Sequence, residues 1–248
     1  SANALHHRPF VFYWFATGAT AFAVQIMSVS VGWQVYDITR NPLHLGYVGL
    51  AQFLPPLILV LITGLVADKF SRRFIMAGCL FVEALCALGL LAFTLSAPTD
   101  VTPVFGILVV LGIARAFMNP AADALAPNLV PKEAIAHAIS LNSMIWQIGN
   151  IVGPVAGGLL YGLSGEVAYG TALTLVGLAA LLVLLIGRVP QLNHASETSL
   201  QTLFAGFNFI RKERIVLGAI SLDLFAVLLG GAVALMPVYA RDILDVGP

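Results

Sequence analysis

Seven long apolar stretches, most of them separated by only a few polar residues, constrain this chain more than any other feature. They run at Phe10–Tyr36, Leu43–Ala67, Phe74–Ser96, Val101–Leu125, His137–Leu163, Val167–Val189 and Ile215–Ala240. A helix needs about 20 mostly apolar residues to cross the hydrocarbon of a bilayer, and every stretch is long enough. In lipid each backbone polar group must find its partner inside the structure, which a helix provides within one segment. A membrane β-barrel would instead show short alternating segments. The sequence predicts an all-α fold, a polytopic transmembrane helical bundle.

Composition narrows the functional classes. Of 248 residues, 59% are hydrophobic and 10% charged, whereas an ordinary soluble domain carries about 25% charge. A soluble domain of this size could not hide so much apolar surface. Twelve basic residues balance twelve acidic ones, so there is no basic excess for nucleic acid. The expected partners are membrane lipid and a small molecule. The five histidines, His6, His7, His44, His137 and His194, are scattered, with no clustered metal-ligand spacing. Neither a nucleophile–base pair nor a nucleotide-binding glycine loop is present. No cofactor is expected, and an intramembrane enzyme is the least favoured class. Cys79 and Cys86, seven residues apart, share a helix face and read as packed small residues. Charged Asp37 and Arg40 follow the first stretch, where a cleaved leader would carry small residues.

The basic residues order the chain across the membrane. Arg8, Lys69, Arg72, Arg73, Lys132, Arg188, Arg211, Lys212 and Arg214 fall on one side, and only Arg40 and Arg241 on the other. By the positive-inside bias, the first side and the N-terminus are cytoplasmic. The break at Pro190–Arg214 is longer than the rest. Within it Leu200, Leu203, Phe204, Phe207 and Ile210 recur at helical spacing before Arg211, Lys212 and Arg214. This predicts an amphipathic helix, either on the cytoplasmic membrane surface or packed under the bundle. Three regions follow: a six-helix transmembrane half over 1–189, a cytoplasmic linker over 190–214, and span seven over 215–248.

Ile62–Asp68 and Ala156–Gly162 are alike, and each belongs to the middle helix of a three-helix set. The two sets run in opposite directions, a plan common in secondary transporters.

Ionisable groups inside a membrane are costly, so each is a functional candidate. Glu83 lies in span three, Arg115 and Asp123 in span four, and Asp223 in span seven. Arg115, Asn119 and Asp123, spaced i, i+4, i+8, form one helix stripe, with Pro120 loosening the helix. A buried guanidinium keeps its charge and needs acceptors, from a substrate anion or a neighbouring carboxyl. An isolated carboxyl at Asp223 or Glu83 can exchange a proton or hydrogen-bond another helix. Asn142, Trp146 and Asn150 form a second stripe, in span five. There Gly149, Gly153 and Gly157 recur every four residues, with Pro154 and Gly158 beside them. Small residues at this spacing let backbones approach closely, and proline favours a bend. Between spans two and three, Gly64, Asp68, Lys69, Arg72 and Arg73 form an ordered, charged turn.

These motifs resemble those of the major facilitator superfamily, and the chain resembles its N-terminal portion from Arg8 onward. The Gly64–Arg73 segment resembles the signature between spans two and three, with departures at Val66, Lys69, Ser71 and Met76. Arg115 matches a span-four arginine associated with proton transfer. Gly149, Gly153, Pro154, Gly157 and Gly158 match a span-five antiporter motif, in which Ser140 replaces a usual glycine. Gly32–Thr39, Leu50–Pro55 and Leu217–Pro248 resemble the enterobactin-exporter-like branch of drug and siderophore efflux proteins. The resemblance implies twelve spans, a whole of roughly 400 residues of which this chain is about three-fifths. It also implies a missing C-terminal half as partner, and a bacterial inner-membrane location. The function implied is proton-coupled antiport of a small amphipathic compound, with the proton gradient as energy source. Substrate would lie between spans one, four and seven, near Gln25, Arg115, Asn119 and Asp223. A non-transporting receptor or scaffold of the same fold is the alternative.

Overall fold

Proline and cap residues set where the helices begin. Pro9 sits in the first turn of α1 (Arg8–Thr39), and Pro42 opens α2 (Pro42–Lys69). Between them Arg40 takes a left-handed backbone (φ 52°), which reverses the chain, and the Asn41 side chain accepts from the Leu43 N–H at 3.0 Å. The bundle continues with α3 (Arg72–Leu95), α4 (Thr102–Leu125), α5 (Ile135–Leu163) and α6 (Gly165–Leu185). Short 3-10 turns at Ala4–His6, Ala126–Leu129 and Lys132–Ala134 precede α1 and join α4 to α5. The computed structural model describes residues 3–96, 99–187, 217–218, 221–222 and 236–244. The predicted linker helix and nearly all of span seven, Asp223 included, lie outside these residues. The last described stretch is a helical turn, Met236–Val238, running into a π-helical turn, Tyr239–Ile243.

The predicted spans match six helices, with one boundary revised. Span six ends at Leu185, because Ile186 turns to an extended backbone, rather than at Val189. Among the described residues, five helices are apolar and long enough to cross a membrane, α1 to α4 and α6. Helix α5 is 29 residues long, but His137, Asn142, Gln147 and Asn150 lower its hydropathy. It runs unbroken through Pro154, as α2 does through Pro55 and Pro56 and α4 through Pro120.

Helix α1 packs along α5 and α6, α6 on α3, and α4 on α3 and α2. The buried residues of α6 (Ala168, Tyr169, Ala172, Val176, Ala179, Val183) recur at helical spacing and form one apolar seam. Those of α3 (Met76, Cys79, Leu80, Glu83, Cys86, Ala87, Leu90) do the same, with one acid among them. Both cysteines are buried and free, as packed small residues would be.

Helices α1 and α5 meet at glycine. A Cβ on Gly149 would lie 2.6 Å from Ala21 Cβ, and one on Gly153 2.6 Å from Gln25 Cβ. One on Gly157 would lie 3.1 Å from Ile26 Cα. The predicted close approach of span five is thus made to α1.

Helices run alternately up and down, so one end of the bundle collects Arg8, Lys69, Arg72, Arg73 and Lys132. This is the basic end. The opposite end carries Asp37, Arg40, Asp100 and the Tyr239–Ile243 turn.

Candidate functional site

A cavity of about 710 Å³ opens between α1, α2 and α5. Its wall is mostly apolar (Val29, Trp33, Leu45, Val48, Val155, Leu159), with neutral polar groups at Gln25, Ser28 and Gln52 and backbone exposed at Gly32, Gly49 and Gly158. Pro154 and Pro237 complete it, Pro237 coming from the end of span seven. The sequence placed this space between spans one, four and seven. Helix α4 contributes none of the lining residues, because α2 stands between it and the cavity.

Gln25 Nε2 donates to Asn150 Oδ1 at 2.7 Å, across the glycine seam that brings α1 and α5 together. Trp146 and Asn142 are half-buried, and Asn142 Oδ1 is buried without a hydrogen-bond partner. Nearby, the Tyr13 hydroxyl donates to the Ala122 carbonyl at 3.0 Å and Trp14 Nε1 to the Leu141 carbonyl at 2.9 Å, fixing α1 to α4 and α5.

Behind α2 lie two buried ionisable groups, Glu83 and Arg115, which act on each other electrostatically but stand beyond ion-pair distance. Glu83 on α3 is 0% exposed, and among the described residues neither carboxyl oxygen has a hydrogen-bond partner. Arg115 on α4 is the charge that acts on it. Nη1 of Arg115 donates to Gln52 Oε1 in a long bond of 3.4 Å, whereas Nε and Nη2 are buried without partners. Gly112 explains this neighbour. A Cβ there would lie 2.9 Å from the Gln52 carbonyl oxygen and 3.3 Å from that of Ala51, so α2 comes backbone-close to α4 one turn before Arg115. The expected stripe on α4 exists as spacing, but its environment changes along it: Arg115 is half-buried, while Asn119 and Asp123 are exposed.

The charged turn between α2 and α3 is built on helix ends. Arg72 Nη1 donates to the Ala124 carbonyl at 2.7 Å. Arg73 donates through Nε to the Val183 carbonyl at 3.2 Å, and through Nη2 to that of Leu184. These oxygens sit at the C-termini of α4 and α6, where the helix leaves carbonyls unpaired and the dipole favours cations. Lys69 is exposed, Gly64 has open space where a Cβ would stand, and the Asp68 side chain lies outside the described residues.

At the opposite end Asp37 is shared. Arg241 donates to Asp37 Oδ1 at 2.5 Å, Tyr161 to Oδ2 at 3.5 Å, and Arg40 stands 3.9 Å away. Tyr36 donates to Asp242. These contacts tie α1 and α5 to the end of span seven. Just inside, Gln34 accepts from the Tyr169 hydroxyl at 2.7 Å and donates to Thr94 at 2.8 Å, linking α1, α6 and α3. Sequence reasoning had not singled out Gln52, Trp33 or Asp37 as site residues. A glutamine inside an otherwise apolar span was the available signal for Gln52.

A bundle of membrane-length helices around a neutral cavity, with a few buried charges, defines a polytopic all-α membrane protein. The match to the family of transmembrane secretion effectors covers residues 1–248, and the chain belongs to that family of the major facilitator superfamily. It is similar to macrolide efflux protein A of Streptococcus pyogenes, 27% identical over 92% of this chain and 56% of the relative. It is also similar to the staphyloferrin A transporter of Staphylococcus aureus, 27% identical over 54% of this chain and 34% of that one. The multidrug efflux pump Tap of Mycolicibacterium fortuitum is 28% identical over 57% of this chain and 36% of its own length. The chain spans about half the length, or less, of these relatives. As a member of this family it is a multi-pass bacterial membrane protein.

Proposed function

We propose that the chain is the N-terminal six-helix half (1–189), linker (190–214) and first C-terminal span (215–248) of a proton-coupled exporter. It moves a small amphipathic compound by alternating access, as an antiporter. The basic end faces the cytoplasm and the protein sits in the inner membrane. A second, C-terminal half supplies the opposite wall. The observation that carries this reading is the cavity: apolar on most of its surface, with Gln25, Ser28 and Gln52 as neutral hydrogen-bonding points. Such a wall suits an amphipathic molecule better than a densely charged one. An intramembrane acid such as Glu83, buried in α3, fits a proton cycle. The names of the relatives, a macrolide efflux protein and a multidrug pump, point the same way.

The glycine seam suits a moving wall, since backbones in contact slide without unlocking interdigitated side chains. No protein cofactor is required, because the proton gradient supplies the energy. The test is a flux assay on the full-length protein in liposomes under an imposed pH gradient, with a macrolide as probe. Gradient-dependent export is expected, and Asp223→Asn should reduce it. Flux indifferent to the gradient would overturn proton coupling. Absence of flux for a panel of macrolides and lipophilic dyes would favour a receptor or scaffold.

A further inference from the structure

Three groups form a line from the cavity into the bundle. Gln52 lines the cavity and accepts from Arg115. Among the described residues Arg115 keeps two buried nitrogens unpaired, and Glu83 beyond it is wholly buried with both oxygens unpaired. We propose that Glu83 carries a transported proton and that the cavity reports its occupancy to Glu83 through Gln52 and Arg115. This rests on the proton-coupled reading above and gives that reading a specific residue and a specific wire.

The physics is desolvation. A carboxylate sealed in apolar surroundings without hydrogen bonds is very costly, so Glu83 is neutralised either by a proton or by Arg115. Among the described residues, Arg115 is committed elsewhere only by one long bond to Gln52. A substrate that hydrogen-bonds Gln52 in the cavity takes that acceptor away. The guanidinium then turns wholly to Glu83, the O–H bond of the carboxyl breaks, and the proton leaves to water on the cytoplasmic side. A proton arriving from outside re-forms the O–H bond, releases Arg115 to Gln52 and frees the cavity of its hold on substrate. Proton and substrate therefore alternate, as antiport requires.

The surroundings leave few competitors. On α3 itself Cys79 and Cys86 flank Glu83, and both interact with it electrostatically. On α4 the charged groups are Arg115 and Asp123, and Asp123 is exposed two turns away. Helix α6 carries Glu166 and Tyr169 as its titratable groups, both in its first turns at the opposite end. Those of α2, His44, Tyr47, Asp68 and Lys69, lie near its two ends.

The experiment is an infrared pH titration of the full-length protein in lipid, which needs no known substrate. A titrating carboxyl C=O band is expected in the wild type, lost in Glu83→Gln and displaced in Glu83→Asp. Gln52→Ala keeps the band but weakens it about fivefold at the wild-type midpoint, the effect of a one-unit change in proton affinity. A band unchanged by both Glu83 variants overturns the proton site. A band indifferent to Gln52→Ala overturns the wire. Should Glu83→Gln fail to fold, Glu83→Asp decides by the displacement alone. The gradient-driven flux of the wild type is measured in parallel: if it is absent while the band titrates as expected, the coupling reading fails and the proton site stands.

Discussion

The two ends of the bundle are closed by opposite chemistry. At the basic end, arginines grip backbone: Arg72 and Arg73 hold the last carbonyls of α4 and α6. At the other end the even-numbered helices begin, and side-chain oxygens answer their free N–H groups. Asn41 caps α2, Asp100 accepts from the Thr102 N–H at 3.0 Å, and Ser164 accepts from the Val167 N–H at 3.2 Å. The basic end thus complements the C-terminal pole of two helices, and the other end the N-terminal pole of three. The ends differ in what they join. The arginine contacts lie within the six-helix set, whereas Asp37–Arg241 and Tyr36–Asp242 reach from it to the end of span seven. Contacts inside one rigid set hold it together, and side-chain pairs between sets can open and re-form. The second end is where relative movement would be felt.

The seam that both ends share offers the strongest way to break this arrangement. Gly153→Ala places a Cβ 2.6 Å from Gln25 Cβ, and overpacking of this kind costs about 3 kcal/mol, to be read as a lowered melting temperature in lipid nanodiscs. Arg73→Ala should cost about 2 kcal/mol through two charge-assisted bonds to carbonyls, with amide exchange rising at the end of α6 and not at 236–244. Asn41→Ala should cost about 1 kcal/mol as a lost helix cap, with exchange rising only in the first turn of α2. Asp37→Asn should cost about 0.5 kcal/mol, since the pair is partly exposed, yet should raise exchange across 236–244. Equal local effects of Arg73→Ala and Asp37→Asn on that stretch would erase the distinction between the ends.

The smallest effect concerns pH. Two hydrogen bonds from Thr102, backbone N–H and hydroxyl, hold the Asp100 carboxyl below its ordinary value of 3.8. The ionised form is the one the folded state favours, so the contribution is present above that value and lost as pH falls below it. Asp100→Asn should match the wild type in acid and be less stable near neutrality. A difference that persists in acid would contradict this.

Much of the fold was legible because length and hydropathy alone dictate membrane helices. Six helices fall within a few residues of the apolar stretches. Span six was overdrawn because Ile186 and Val189 are apolar like the helix before them, and hydropathy does not see a backbone turn. Sites were less legible. The Gly149–Gly153–Gly157 spacing announced a close approach but not that α1 would be the partner. Arg115 was visible as a buried charge. Its link to Gln52 was not, because it depends on where α2 crosses α4, and that crossing is set by Gly112. Helical spacing joined Arg115, Asn119 and Asp123 on one stripe but could not say that burial ends at the first of them.

The polarity of α5 bears on how the protein is made. A newly synthesised segment leaves the insertion machinery for lipid according to its own hydrophobicity, and asparagines, a glutamine and a histidine weigh against release. In the finished bundle Asn150 is satisfied by Gln25, and the glycine face is covered by α1. Helix α5 thus enters the bilayer at lowest cost when α1, already in place, receives it. The first helix is then an assembly template for the fifth, and a substitution in α1 facing the seam would show itself first as faulty membrane integration of a segment more than a hundred residues downstream.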